Sequence, residues 1–306
     1  MTDPTPPTPR VSVAISVCNA ERYIGEAVES VLNQTFGDFE LIIIDDGSTD
    51  GTADLLRRYA EADDRIRLTI RDNRGIPQSL NEAIDLSRGE YTARMDGDDI
   101  CLPQRLERQV AFLDAHPEVV AVGCHRLLID ADGDPINTPT EAQSHEEIDR
   151  LLMQCKGAIP HPGAMIRTAA LKQIGGYRAK FTAAQDLDLW LRLGELGELA
   201  NLPDVLLRYR VHAGGVSQTK RTVQLECAAL AVRDACERRG LPAPPELETN
   251  LVYADDHFRR RRQLIHWAME AGNRATARKH ARAHWRAHRL NPRCWLDLAR
   301  THLRQG

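Results

Sequence analysis

Through the first hundred residues, short β-branched runs alternate with amphipathic stretches, and that alternation predicts a sheet whose parallel strands are joined by helices. Val11–Val17 reads as the first strand. In residues 21–33, Ile24, Val28, Val31 and Leu32 recur at helical spacing, so a helix returns the chain for a second strand at residues 40–44. That strand is almost wholly apolar, as a central strand covered on both faces must be. Helices are expected over residues 52–61, with the small polar residues before them as the N-cap, and over residues 79–86. Strands are expected over residues 65–70 and 91–95. The second and fourth strands run directly into Asp45-Asp46 and Asp96-Gly97-Asp98-Asp99. Ligands of open α/β sheets bind beyond the carboxyl ends of strands, so the two acidic clusters share one expected pocket.

Farther on, residues 103–115 read as a helix, 119–129 as a strand and 130–144 as a loop or hairpin. Residues 184–196 carry Leu187, Trp190, Leu191 and Leu193 at helical spacing, which puts Gln185 and Asp186 at a helix start. There the helix dipole favours an ionised Asp186. Strand signals stop near Thr222. Helices are expected over 222–238, 253–270 and 274–289, with a Pro-rich linker at 241–246.

With 306 residues, 42% hydrophobic and 27% charged content, the chain has enough apolar material for a sizeable core plus an appendage. No apolar run approaches the roughly 20 residues of a membrane span. The first ten residues, rich in Pro and Thr, read as a flexible lead-in rather than a signal. Seven widely spaced cysteines fit packing roles in a reducing compartment, so a cytoplasmic location is expected. The net charge of −4 conceals an asymmetry: residues 257–306 hold thirteen Lys and Arg against Glu270 and Asp297. Such a basic module suits an anionic membrane surface or an acidic partner, or is a solvated face. No motif that reads nucleic acid accompanies it, so none is expected as a partner. His280, His284 and His288 recur every fourth residue without an acidic or cysteine co-ligand.

Three carboxylates within four residues repel one another unless a cation or donor balances them, and hard divalent ions prefer such oxygen ligands. Asp45 or Asp46 can accept hydrogen bonds from a base or ribose, or can cap the turn. Asp186 and Asp188 are candidate general bases, and His161 and His212 lie in Pro- and Gly-containing loops.

Together these segments resemble the family 2 glycosyltransferases of the GT-A fold, over residues 11–217. The resemblance rests on Val11-Ser12-Val13 with Asn19-Ala20-Glu21, on Leu41-Ile42-Ile43-Ile44-Asp45-Asp46-Gly47-Ser48-Thr49-Asp50-Gly51-Thr52, and on Arg94-Met95-Asp96-Gly97-Asp98-Asp99-Ile100 with Pro103, Arg105 and Leu106. His161-Pro162-Gly163-Ala164-Met165, Gly175-Gly176-Tyr177, Asp186-Leu187-Asp188-Leu189-Trp190-Leu191-Arg192 and Tyr209-Arg210-Val211-His212 follow in the family's order. The resemblance implies a Rossmann-like, mostly parallel sheet followed by a basic helical region at 218–306. It also implies an inverting transfer of a sugar from a nucleotide-diphosphate donor to an acceptor hydroxyl in glycan assembly.

By the same resemblance, Asp45 contacts the nucleobase with Asp46 nearby, and Asp96 approaches the ribose. Ser16, Asn19, Glu21 and Gly97 complete the donor-binding set. Asp98 holds Mn²⁺ or Mg²⁺, His212 adds to the metal or diphosphate site, and Asp186 is the catalytic base. The expected donor is a UDP-sugar, with dTDP- and GDP-sugars as alternatives, and the acceptor a glycan or lipid-linked chain at the inner membrane face. Four positions depart from the family pattern: Ser16 replaces a Pro, Cys18 an aromatic residue, Leu80 an Arg and Gln185 a Glu. The other readings are a catalytically silent donor-binding scaffold and an aspartate-based phosphoryl-transfer domain, which would place its acidic pair after the first strand.

Overall fold

The structure, a computed structural model, describes residues 8–212, 221–242 and 257–302. The described residues fall into two compact units. The first lies within Met1–Arg126, Thr140–Arg208 and Thr222–Leu247, the second within Leu127–Pro139, Tyr209–Arg221 and Glu248–Gly306. Of the expected lead-in at 1–10, residues 1–7 lie outside the described residues, as do parts of the 241–246 linker and of the helix expected from 253.

In the first unit, β1 (Val11–Val17) pairs in parallel with β2 (Phe39–Asp46) and with β4 (Tyr91–Asp96), and β2 pairs in parallel with β3 (Ile66–Arg71). All eight residues of β2 are buried, as its apolar sequence predicts. Three helices make the crossovers: α1 (Ile24–Leu32), α2 (Thr52–Ala62) and α3 (Ile76–Leu86). On α1 the buried residues are Ile24, Ala27, Val28 and Val31, one stripe of a 3.6-residue period.

Some boundaries differ from expectation for local reasons. α3 begins three residues early, with Pro77 in its first turn, where a missing N–H costs no helical bond. The cap of α2 is Gly51, whose own N–H donates to Glu21 Oε2 (3.0 Å), while Asp50 Oδ1 accepts from Thr52 N–H (3.0 Å).

Beyond β4 the sheet turns antiparallel. β5 (Ile100–Cys101) is followed by α4 (Arg105–Ala115), β6 (Val119–Ile129), β7 (Pro135–Asn137), α5 (His145–Leu152), a 3₁₀ turn at His161–Gly163 and β8 (Met165–Arg167). Then come α6 (Thr168–Gln173), α7 (Gln185–Leu193), β9 (Glu198–Arg210) and α8 (Arg221–Arg239). The strand order is β3-β2-β1-β4-β8-β6-β9-β5, with β8 antiparallel to both β4 and β6 and β7 antiparallel to β6. One apolar cluster holds Trp190 and Leu189 of α7, Ile148 and Leu152 of α5, and Ala231, Val232 and Ala235 of α8.

The second unit contains the ends of β6 and β9, β7, and the helices α9 (His257–Glu270), α10 (Arg274–Ala287) and α11 (Pro292–His302). Leu128, Ile136, Ala268 and Ala277 form its apolar cluster. Lys279 Nζ sits 2.8, 2.7 and 2.6 Å from carboxylate oxygens of Asp130, Asp132 and Asp134. Among the described residues no helix is long and apolar enough to cross a membrane. All seven cysteines are free thiols.

Candidate active site

The sheet register brings the carboxyl ends of β2, β1 and β4 side by side: Val17 is opposite Asp45, and Ser16 is opposite both Ile44 and Asp96. Gly97 follows in a tight place. A Cβ there would stand 3.0 Å from Val17 Cγ2 and 3.2 Å from Ile24 Cδ1, so glycine lets the acidic loop lie directly on β1 and α1.

Asp45 and Asp46 have different surroundings although both are buried. Asp46 accepts from Arg71 Nη1 (2.5 Å) and from the backbone N–H groups of Arg74 and Gly75 (2.8 Å each). It thereby anchors the turn into α3, where Gly75 has φ of 92°. Asp45 Oδ1 accepts from Ser48 N–H (3.0 Å), but its buried Oδ2 has no hydrogen-bond partner. A buried carboxylate oxygen left unmatched is costly, and a ligand N–H or O–H would repair it.

Asn19 and Glu21 hold the loop after β2. Asn19, at φ of 53°, receives Thr49 N–H on its Oδ1 (2.8 Å) and donates its own N–H to Ser48 Oγ (2.8 Å), while Glu21 takes Gly51 N–H. Cys18 is exposed beside them.

Asp96, Asp98 and Asp99 can present oxygen atoms within 4.8 Å of one another, the convergent place for a metal among the described residues. Beneath them, buried Arg94 puts Nη1 2.5 Å from Asp96 Oδ1. Burial raises the Asp96 pKa, Arg94 opposes this and the charge of Asp98 adds to it. Burial alone would lower the Arg94 pKa, yet the charge of Asp96 carries it above its usual value. An all-oxygen, mutually repelling donor set fits a hard divalent cation.

Asp186 and Asp188 share the first turn of α7. Asp188 is fully enclosed and bound by Arg178 through Nε (3.1 Å) and Nη2 and by Arg192 through Nε (3.0 Å) and Nη2 (2.9 Å). Arg192 also donates to the carbonyls of Ile174 and Gly176. This leaves Asp186 as the base candidate of that turn. Its Oδ1 accepts from Leu187 N–H (2.9 Å). The helix start was expected to favour its charge; instead burial dominates and raises its pKa, the backbone N–H groups and Arg94 opposing and Asp96 adding to the rise.

His161, a candidate from its loop, joins this centre together with Tyr177, Asn81 and Arg94, which had not been singled out for a role. Tyr177 O–H lies 2.7 Å from His161 Nε2, and burial, with Arg94 adding, keeps His161 neutral, far below its usual pKa. Asn81 clasps the Tyr177 backbone from both sides, donating to its carbonyl (2.8 Å) and accepting its N–H (2.7 Å). The signal for Arg94 was its position inside an otherwise apolar strand, since a buried cation needs a counter-charge. His212 follows β9 and belongs to the second unit, whereas the acidic groups belong to the first. Of the α10 histidines, His280 Nε2 pairs with Asp130 Oδ2 (3.0 Å), and His284 is buried between Phe258 and His288 rings.

Solved structures share this fold. The mannosyltransferase PcManGT from Pyrobaculum calidifontis, in complex with GDP-Man and Mn²⁺, aligns at a TM-score of 0.57 and 22% identity, covering 96% of this chain and 80% of that one. S. aureus TarS residues 1–349 with UDP-GlcNAc align at 0.59 and 16% identity, covering 96% and 89%. The mixed sheet is thus of the GT-A type. Among curated proteins, the putative glycosyltransferase EpsE of Bacillus subtilis is 36% identical over 240 residues, 76% of this chain and 84% of that one. The O-antigen biosynthesis glycosyltransferase WbnJ of Escherichia coli is 32% identical over 252 residues, 81% and 94% of the two chains. The model of glycosyl transferase family 2 matches residues 12–175, more than half of the chain, and this protein belongs to that family of glycosyltransferases.

Proposed function

We propose that the chain transfers a sugar, with inversion, from a nucleotide-diphosphate donor to an acceptor hydroxyl during assembly of a cell-surface glycan, and that residues 11–217 carry the reaction. The unmatched Oδ2 of Asp45 at the end of β2, separated in the sheet by β1 alone from the strand that leads into the convergent Asp96, Asp98 and Asp99, is the observation that carries this reading. Relatives named for O-antigen and amylovoran biosynthesis support the setting, and structures holding UDP-GlcNAc and GDP-Man support a nucleotide-sugar donor, with UDP favoured. A glycan or a lipid-linked chain is the acceptor, and the basic helices make a peripheral membrane contact.

Asp45 accepts a hydrogen bond from the base, Asp96 faces the ribose, and Asp98 holds Mn²⁺ or Mg²⁺. Ser16, Asn19, Glu21, Asp46 and Gly97 shape the donor cleft, most of them by fixing its loops. The divalent ion supplies neutralisation of the departing diphosphate. Asp186 takes the proton of the acceptor hydroxyl, and its raised pKa makes it a stronger base than an exposed carboxylate. Arg94 stands between Asp96 and Asp186 in charge, restraining the rise of both.

A thermal-shift series with UDP-, dTDP- and GDP-sugars, with and without Mn²⁺, followed by turnover assays, tests this. Asp98→Asn is expected to abolish metal-dependent donor binding, and Asp186→Asn to keep binding and lose turnover. Equal loss of binding in both contradicts the assigned roles. Metal-dependent binding of a nucleotide sugar with no turnover of any tested donor favours the silent scaffold.

A further inference from the structure

We propose that the corner between α10 and α11 docks on an anionic lipid bilayer, with Leu290, Trp295 and Leu296 entering the interface and a ring of arginines meeting the lipid phosphates. This names the residues of the membrane contact, and it holds whichever donor the transferase uses.

Leu290 is 99% exposed, Leu296 56% and Trp295 53%. Seven large apolar residues are exposed among the described residues, and three of them fall within 290–296, so the exposure is concentrated. The inward face of α11 explains the outward one. Cys294, Asp297 and Thr301 are its buried residues, which turns Trp295 and Leu296 to solvent. Trp295 is held in that position: its indole N–H donates to Arg289 O (2.9 Å), and its ring meets Trp285 edge-on at 5.1 Å.

Around this patch Arg282, Arg286, Arg289, Arg293 and Arg300 are exposed. Arg289 lies over the Trp285 ring, and none of the five has an ion-pair partner among the described residues. The acids of the region are already engaged, Asp297 with Arg262 (2.6 Å) and Glu270 with His266 (3.2 Å). Lys279 is answered by Asp130, Asp132 and Asp134 and Arg262 by Asp297, whereas the five arginines around the patch present cationic charge with no ion-pair partner among the described residues.

Apolar side chains at a helix corner, a tryptophan among them, surrounded by long cationic ones, suit the headgroup boundary, where the apolar groups reach the acyl chains and the guanidinium groups stay at the phosphates. A nucleic acid or other soluble polyanion would answer the charge and leave the leucines in water. A bilayer answers both.

Flotation of the full chain with phosphatidylcholine vesicles and with phosphatidylcholine–phosphatidylglycerol vesicles tests the proposal, with circular dichroism and donor binding measured alongside. Binding is expected to the phosphatidylglycerol vesicles alone and to fall with salt. Leu290→Glu with Leu296→Glu is expected to weaken it about tenfold or more, leaving the helical signal and donor binding unchanged. Arg286→Glu with Arg293→Glu is expected to do the same. Equal binding to both vesicle types overturns the proposal, as does wild-type binding by the leucine variant. Binding to heparin without binding to phosphatidylglycerol vesicles also overturns it and assigns the surface to a soluble polyanion. Vesicle binding is read without turnover, so it fails or holds separately from the transferase reading.

Discussion

The end of β2 and the first turn of α7 each present two aspartates, and in each region one is fully engaged while its neighbour keeps capacity. Asp46 is taken up by Arg71 and two backbone N–H groups, and Asp188 by Arg178 and Arg192. Asp45 keeps a buried oxygen without a partner, and Asp186 has only backbone bonds and a raised pKa. Residue type and position along the chain are nearly the same within each pair. What separates the engaged acid from its neighbour in each pair is how many donors reach the carboxylate.

The strongest way to break this comparison is at Asp188. Asp188→Ala removes the counter-charge of two guanidinium groups, one of them nearly buried, and is expected to cost about 3 to 5 kcal/mol of stability. Asp186→Asn is expected to leave stability unchanged or slightly higher, because burial already penalises its charge. Urea unfolding of the two variants checks this, and comparable destabilisation would dissolve the distinction between the two acids.

Asp46 and Asp45 sharpen the same point at a smaller scale. Asp46→Asn loses charge-assisted bonds to Arg71 and the turn into α3, an expected loss of about 1.5 to 3 kcal/mol. Asp45→Asn keeps an oxygen for Ser48 N–H and is expected to change stability by under about 1 kcal/mol while weakening donor binding. Calorimetric titration with a nucleotide sugar, paired with thermal unfolding, separates the two. A pair of variants that both unfold early and bind normally would reverse the assignment.

These partners explain what the sequence could and could not reveal. The β1–α1–β2 and α2–β3 portion was legible because apolar runs and helical periodicity are local, and β2 is buried at all eight positions. The acids were legible as candidates because Asp45 and Asp46 end a strand and Asp186 and Asp188 begin a helix. Their division was not, since Arg71 is 25 residues from Asp46 and Arg178 is ten from Asp188. The thirteen-residue strand β9 escaped because Pro203 and Asp204 interrupt its pattern, and β8 and α6 because three to six residues carry too little periodicity. α5 has its cap in Ser144, which accepts Glu147 N–H (3.4 Å), but the preceding loop residues masked the start. At Asp186 enclosure outweighs the helix start, so the pKa rises where the backbone N–H groups alone would lower it, and enclosure has no local mark in the sequence.

The smallest effect expected is the pH response that Asp186 contributes. Burial puts its folded pKa above that of an exposed aspartate, so between the two the folded protein holds a proton that the unfolded chain has released. Stability from this group is therefore present below the unfolded pKa and declines as pH rises through the window up to the folded pKa. The sign is opposite to that of Asp63, whose pKa is lowered first by its hydrogen bonds from Arg65, so that its contribution appears as pH rises and is lost toward acid. Replacing Asp186 by Asn should flatten the declining part of the stability curve and leave the acid-side loss intact. In the wild type, turnover should fall as pH drops through that same window, because a protonated Asp186 cannot accept the acceptor's proton. Denaturant unfolding of both proteins across pH 3 to 7, with turnover of the wild type on the same pH grid, reads both at once. An identical stability slope in the two proteins would mean that Asp186 is solvated like an ordinary surface carboxylate, and the contrast with Asp188 would then rest on ion pairing alone.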